Sequence, residues 1–316
     1  MLLPFITTNQ IRNILRFETL IPALERAFTL ACTVPERAHY QMGDAWNRDA
    51  QMLIMPAWRQ DHYAGVKLIT LYPDNPKQGR PNITGIYCLF DGATGQPLAQ
   101  MDAGEITRWR TAATSVLAAK YLAPADPTSH LIIGTGALAR PFIDAYSQAY
   151  PRNELWLWGR SADKTQALVT DLQKHIPQLH ATEDLATAAR SARLISTLTN
   201  SRTPVLQGDW ISPGTYLDLV GSYRPDMREV GDDIIRRAEI FVDIRDGAPV
   251  ESGDLTQPLD SGLIKMSDIK ADLSDLVTGR HKGRSDLQDI TLFKSAGAAS
   301  EDLAAAILIY ESFTDL

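Results

Sequence analysis

Three basic side chains stand in settings where a solvated charge is not expected. Lys67 falls within the apolar run Gly65-Val-Lys67-Leu-Ile, Arg37 within Val34-Pro-Glu-Arg37-Ala-His39, and Arg110 opens Arg110-Thr-Ala-Ala113. An ammonium inside an apolar strand is costly unless it meets an anion, so Lys67 is the first candidate for holding an anionic ligand. Strand alternation leaves a second reading open, an outward-facing lysine, because successive side chains point to opposite faces. A forked guanidinium together with a point-charge ammonium suits a carboxylate.

A second feature is the turn Gly134-Thr-Gly136-Ala137-Leu138-Ala139, which follows the β-like run His130-Leu-Ile-Ile133 and precedes a helix-compatible stretch. In that context the first glycine takes a tight turn, the second lets the backbone approach a pyrophosphate, and the small third residue lets helix pack on strand. The diphosphate would sit on the helix N-terminus, where free N–H groups and the helix dipole favour an anion. The next strand ends Leu157-Trp158-Gly159-Arg160-Ser161, without the carboxylate that would bind the ribose hydroxyls of NAD. Arg160 and Ser161 instead suit a 2′-phosphate, so NADPH is expected over NADH.

These residues need elements to carry them. From about Ser129 the runs His130–Ile133, Glu154–Trp158, Leu194–Thr197, Thr215–Val220 and Glu239–Asp243 alternate with helical stretches such as Ser161 to His175, which implies a parallel sheet with helices on both faces. Residues Tyr63 to Gln100 read as antiparallel strands, Val66–Tyr72, Ile83–Phe90 and Pro97–Gln100, joined by turns. Between the two sheet types, Asp102 to Ala123 reads as a helix capped by Thr107 and ended by Pro124, and Glu301 to Tyr310 as a second alanine-rich helix. The expectation is an α/β chain in which a Rossmann unit, residues 124–295, is inserted into a discontinuous α+β domain made of 1–123 and 296–316. The alanine-rich stretches Arg110 to Ala119 and Leu303 to Ile309 are expected to supply self-complementary surface for a two-fold dimer.

Composition narrows the partners. The chain has 316 residues, 44% hydrophobic and 22% charged, with a net charge of −7 and scattered basic residues, so neither nucleic acid nor an anionic membrane is expected as a partner. The opening Met1-Leu-Leu-Pro-Phe-Ile does not read as a signal peptide, and no apolar run approaches the roughly 18 residues that span a bilayer. Cys32 and Cys88 have no ligand-spaced partners and the six histidines form no metal motif, so a cytoplasmic protein without a metal is expected.

Taken in order, Lys67, Asp91-Gly-Ala-Thr-Gly95-x-Pro97, Arg110-Thr-Ala-Ala113, Gly134-Thr-Gly136-Ala, Trp158-Gly-Arg-Ser161, Ser196-Thr197-x-Thr199, Pro213-Gly214-Thr215 and Phe293-Lys-Ser-Ala-Gly297 with Glu301-Asp-Leu-Ala304 resemble the ornithine cyclodeaminase/mu-crystallin family. The resemblance runs from about Arg37 to Tyr310. It implies a homodimer, Arg37 and Lys67 on the carboxylate of an amino or imino acid, and Arg110 on a cofactor phosphate. The cofactor contacts expected are Arg110, Thr111, Gly134, Gly136, Ala137, Leu138, Ala139, Gly159, Arg160, Ser161, Thr197, Val220 and Ser295.

One departure is informative. The family's cyclodeaminases and alanine dehydrogenases carry a catalytic aspartate after the strand ending Val-Gly, two residues before a proline, where this chain has Tyr223 in Val220-Gly-Ser-Tyr223-Arg-Pro225-Asp226. The segment is closer to that of the family's ketimine reductases, mu-crystallin and the bacterial Δ1-pyrroline-2-carboxylate reductases of hydroxyproline breakdown. The resemblance therefore implies NADPH-dependent reduction of a cyclic imino acid. The expected reaction takes Δ1-pyrroline-2-carboxylate to L-proline, with Δ1-piperideine-2-carboxylate to L-pipecolate as a second one. NADH is the second choice of cofactor. A cyclodeaminase or amino-acid dehydrogenase, and a non-catalytic NADPH-binding protein, are the competing readings. Lys67, Tyr223 and bound water all stand as sources of the proton that the imine nitrogen takes up.

Overall fold

The computed structural model describes residues 3–43 and 49–314, so the first two residues of the apolar opening segment lie outside it. Contacts divide the chain into two units, one formed by 1–114 with 298–316 and the other by 115–297. The boundary falls inside one helix, Ala103–Leu122.

The first unit is built on a six-stranded sheet of order β1-β6-β5-β4-β3-β2, from β1 (Phe5–Ile6), β2 (Ala38–Gln41), β3 (Gln51–Arg59), β4 (Tyr63–Leu71), β5 (Ile83–Asp91) and β6 (Pro97–Asp102). All neighbours are antiparallel except β1 and β6. The helices α1 (Thr8–Ile14), α2 (Phe17–Thr29) and the start of α3 (Ala103–Leu122) belong to this unit, and the chain's last helix returns to it.

Sequence patterning explains most of these strands. β4 buries Gly65, Lys67, Ile69 and Leu71 on one face and leaves Ala64, Val66, Leu68 and Thr70 half-exposed on the other, the period-2 alternation of a strand covered on one side. The motif Asp91-Gly-Ala-Thr-Gly95 is the hairpin between β5 and β6: Asp91 Oδ1 accepts from the backbone of Ala93 and Thr94 and from the Thr94 hydroxyl. β3 carries Pro56 yet lies between two strands. Its pairing with β2 covers only Gln51 to Ile54, so the proline sits where β2 no longer needs its missing N–H.

The cap of α3 is a correction. Thr107 lies a turn inside the helix and its hydroxyl donates to the Ala103 carbonyl at 2.8 Å. Asp102 does the capping, accepting from the Glu105 N–H at 3.0 Å.

The second unit holds an all-parallel, eight-stranded sheet of order β13-β12-β14-β11-β10-β7-β8-β9. The strands are β7 (Ser129–Ile133), β8 (Glu154–Trp158), β9 (Leu179–Ala181), β10 (Leu194–Thr197), β11 (Tyr216–Leu219), β12 (Ala238–Val242), β13 (Ile269–Asp272) and β14 (Ile290–Lys294). The larger connecting helices are α4 (Ala139–Ala149), α5 (Ala162–Leu172), α6 (Leu185–Ser191) and α7 (Asp232–Arg237). Smaller ones, α8 (Ala248–Glu251), α9 (Gly253–Asp260) and α10 (Leu273–Val277), follow, and α11 (Ala299–Thr314) is the helix that returns to the first unit.

The central strands β7, β10 and β11 are apolar because both faces are covered, and Leu131, Ile133, Ile195, Leu217 and Leu219 pack into one cluster. They also bury a polar string: Asp218 accepts from the hydroxyls of Ser115, Tyr146 and Ser196, and Ser196 meets His130 Nε2 at 2.9 Å. Burial pushes Asp218 up to about 6 against the pull of those hydroxyls, and lowers His130 to about 3, so the imidazole is neutral.

The Ala-rich stretches expected at a dimer interface are interior. Ala112, Ala113, Leu117, Ala118, Leu303, Ala305, Ala306 and Ile309 are all buried. The open apolar surface is instead the other face of the antiparallel sheet, with Met52, Ile54, Val66, Leu68, Ile86 and Phe90 half-exposed.

Gly65 sits under the Tyr87 ring, and a Cβ added there would lie 2.1 Å from the phenol oxygen. Gly65→Ala must displace a buried ring, so chemical denaturation should show a loss of about 1–3 kcal/mol, the usual cost of overpacking. Unchanged stability would mean that the ring yields freely.

Candidate functional site

In the second unit the functional side chains gather at the C-terminal ends of the parallel strands. The strand order reverses between β7 and β10, and this is where open α/β sheets bind nucleotides. Gly134 ends β7 with φ +125°, and a side chain there would press on the Leu198 carbonyl after β10, 2.8 Å from the added Cβ. Its N–H donates to the Trp158 carbonyl of β8 at 2.8 Å, which ties the turn to the next strand. Around Gly136, by contrast, nothing lies within 4 Å of an added Cβ, so the backbone is bare at the point where a diphosphate must approach. Ala137 and Leu138 complete the turn and α4 starts at buried Ala139. The turn therefore fits a dinucleotide.

At the end of β8, Gly159 is followed by exposed Arg160 and by Ser161, which caps α5. Thr197 ends β10, Val220 and Ser295 directly follow β11 and β14, and buried carboxylates hold the backbone there. The holder at β10 and β11 is Glu229, a residue to which sequence reading gave no role. Its fully buried carboxylate accepts five hydrogen bonds: from the Thr197 and Thr199 hydroxyls and the Thr199, Gly221 and Ser222 N–H groups, at 2.7–3.2 Å. Glu229 thereby fixes the backbone after two strands at once.

Asp243 does the same at β14, accepting from the Ser295 hydroxyl and from the Ala296 and Gly297 N–H groups. Behind Glu229, Asp254 accepts from its N–H at 2.8 Å and lies 3.6 Å from buried Lys294. Burial and the neighbouring Asp254 raise the proton affinity of Glu229, while Lys294 and the Thr199 donors oppose the rise. Tyr223 follows β11 and is half-buried; burial raises its phenol against the pull of Arg224. Asp226, the nearest carboxylate to it in sequence, is committed to Arg224 at 2.9 Å and to Arg202 at 3.3 Å.

The first unit holds the other expected residues. Lys67 is on the buried face of β4, 1% exposed, which rules out the outward-facing alternative. Its ammonium lies 2.6 Å from Asp302 Oδ2 on α11. Arg110 on α3 donates to Asp302 Oδ1 at 3.0 Å and to Glu301 Oε2 at 2.7 Å. Lys67 and Arg110 thus converge on one carboxylate, and Arg110 acts first as a clamp that stops Asp302 from rotating.

Thr111, next to Arg110, is buried and donates to the Thr107 carbonyl within α3. Arg37, half-buried just before β2, is close enough for its charge to act on Lys67. Burial brings Lys67 down to about 8; Asp302 raises it, and the cations Arg110 and Arg37 lower it further. Burial would raise Asp302, but Lys67 and Arg110 outweigh it and hold the carboxyl below its ordinary range.

Fold and turn define a nicotinamide-type dinucleotide domain joined to a unit that buries a mixed cation–carboxylate cluster. The model of the ornithine cyclodeaminase/mu-crystallin family matches residues 4–315, and the chain belongs to that family. It is 32% identical to the Δ1-pyrroline-2-carboxylate reductase of Colwellia psychrerythraea, over 98% of this chain and 99% of that protein. Among solved structures it is similar to the Thermococcus litoralis Δ1-pyrroline-2-carboxylate reductase in complex with NADH and L-proline, with a TM-score of 0.94 and 31% identity, covering 99% of this chain and 98% of the other. It is also similar to an archaeal alanine dehydrogenase dimer with bound NAD, with a TM-score of 0.92 and 26% identity, covering 99% and 96%.

Replacing Glu229 by Gln turns an amide N–H₂ toward groups that are themselves donors. Glu229→Gln should cost about 3 kcal/mol in denaturant unfolding, the scale of a buried charged acceptor lost with its partners left behind. A loss below about 1 kcal/mol, the worth of one ordinary hydrogen bond, would show that the two loops hold without it.

Proposed function

We propose that this protein is an NADPH-dependent reductase of cyclic imino acids that converts Δ1-pyrroline-2-carboxylate to L-proline and takes the six-membered Δ1-piperideine-2-carboxylate as a second substrate. It is an NAD(P)H-dependent oxidoreductase acting on C=N bonds. The observation that carries the reading is the buried Lys67 ammonium, held on one side by Asp302, in a chain that matches a pyrroline-2-carboxylate reductase over nearly its whole length.

Arg37 and Lys67 hold the substrate carboxylate, a forked donor and a point charge on one anion. Fixing the carboxylate fixes the imine carbon two bonds away, and positioning of this kind can lower a barrier by up to about 7–11 kcal/mol. The bound cofactor supplies the hydride. Gly136 and the start of α4 hold its diphosphate, and the β10, β11 and β14 ends, set by Glu229 and Asp243, carry the remainder of its cradle.

A preformed imine needs no carboxylate to activate water. That agrees with tyrosine at position 223 and with Asp226 tied up by two arginines. Arg160, exposed at the end of β8, reads the 2′-phosphate. The half-exposed apolar face of the antiparallel sheet is the surface through which two copies pair about a two-fold axis.

The test is NADPH oxidation, followed optically, against cyclic and linear imino acids, ornithine and alanine. Turnover is expected with the two cyclic imines. Ammonia release from ornithine without imine reduction, or tight NADPH binding without any turnover, would contradict the reading. Arg160→Ala should raise the Michaelis constant for NADPH about 10–100-fold, the worth of 1.5–3 kcal/mol in charged hydrogen bonds, and leave NADH little changed. Equal losses with both cofactors would remove Arg160 from the phosphate site. Light scattering at micromolar concentration should give twice the chain mass, and a monomer there would exclude the dimer.

A further inference from the structure

The cluster on β4, α3 and α11 sets a buried carboxylate against the Lys67 ammonium. At 2.6 Å that anion favours the charged form of the amine against the burial that disfavours it. Asp302 is also fixed in orientation: Arg110 holds its other oxygen, and Glu301 in turn holds Arg110. The ammonium has three donors, and Asp302 is its ion partner among the described residues.

We propose that Asp302 is a positioning residue for the reduction: its carboxylate keeps the Lys67 ammonium charged and aimed, and Lys67 passes a proton to the imine nitrogen as the hydride reaches the adjacent carbon. This rests on the imine-reductase reading above. The hydride brings its electron pair to carbon and forms the new C–H bond, while NADPH is oxidised to NADP⁺. The π pair of C=N becomes the new N–H bond with the proton from Lys67. Lys67 is left as a neutral amine and regains a proton from solvent, and Asp302 stays ionised throughout.

The groups set against Lys67 are Tyr87, its register partner on β5, Arg110 on α3, Asp302 on α11, and Arg37 before β2, while Glu301 binds Arg110. Of these the two arginines and burial disfavour the ammonium, and Asp302 is the group that directly favours it. Removing the charge of Asp302 must therefore lower the proton affinity of Lys67. A proton donor is lost as pH rises through its pKa, so activity in the reductive direction should fall above about pH 8, the value that burial and its neighbours give Lys67.

The experiment is kcat/KM for Δ1-pyrroline-2-carboxylate against pH, with saturating NADPH, for the wild type, Asp302→Asn and Lys67→Arg. In Asp302→Asn the alkaline limb should move down by about one pH unit or more, as loss of a close opposite charge requires, while the NADPH dissociation constant stays the same. A uniform loss at every pH, with the limb in place, is what a merely structural role gives, and it overturns the proposal. Should Asp302→Asn fail to fold, Lys67→Arg decides the matter, because a guanidinium does not titrate in this range: the limb must vanish, and its persistence overturns the proposal. Absence of imine turnover in the wild type is a different result, and it overturns the functional reading itself.

Discussion

The interaction on which the first unit depends is the contact between Lys67 on β4 and Asp302 on α11. A lone ammonium buried between a sheet and a helix would be driven to lose its proton, and a lone carboxylate beside it would be driven to gain one. Together, with Arg110 bridging to Glu301, both stay ionised in an apolar layer. Such a cluster adds little net stability, since desolvation consumes most of the attraction. What it provides is a charged donor in a fixed place. Strand β4, α3 and α11 bring Lys67, Arg110 and the pair Glu301-Asp302, from three places in the sequence, to one cluster.

The second unit solves a different problem with the same device. A parallel sheet presents loops at the C-terminal ends of its strands, and loops are the least constrained part of the fold. Glu229 and Asp243 bind the loop N–H groups and hydroxyls with buried carboxylates, so those loops rest on fixed side chains. Lys294 and Asp254 lie behind them as a charge reserve. Preorganisation in both units therefore comes from buried carboxylates, while Gly134 makes a turn too close to the Leu198 carbonyl for a side chain and Gly136 leaves its backbone bare.

Much of this was legible in the sequence, and the rest was hidden for physical reasons. The glycine turn announces itself because its neighbours in space are also its neighbours in the chain. The face of Lys67 was ambiguous because β4 is apolar on both sides: Ile69 and Leu71 look inward, while Val66 and Leu68 form the open face. β3 carries Pro56, which argues against a strand, and only the early end of β2 shows why it is tolerated. Asp302, Glu229 and Asp243 look like ordinary surface acids until their partners are known. Those partners are brought in by folding, from up to 235 residues away for the pair Lys67 and Asp302 (302 − 67 = 235). The helix cap is Asp102, five residues before Thr107, because the helix starts at Ala103, well ahead of the apolar face at Ala112.

Reduction of a cyclic imino acid, as proposed for this protein, moves a hydride from the nicotinamide to the imine carbon. The most direct test supplies the protein with NADPH carrying deuterium at the transferable C4 position, together with Δ1-pyrroline-2-carboxylate, and reads the product by mass spectrometry and NMR. The account predicts L-proline with one deuterium, at C2. Proline without deuterium at C2, or no proline while the cofactor remains bound and unoxidised, would contradict it.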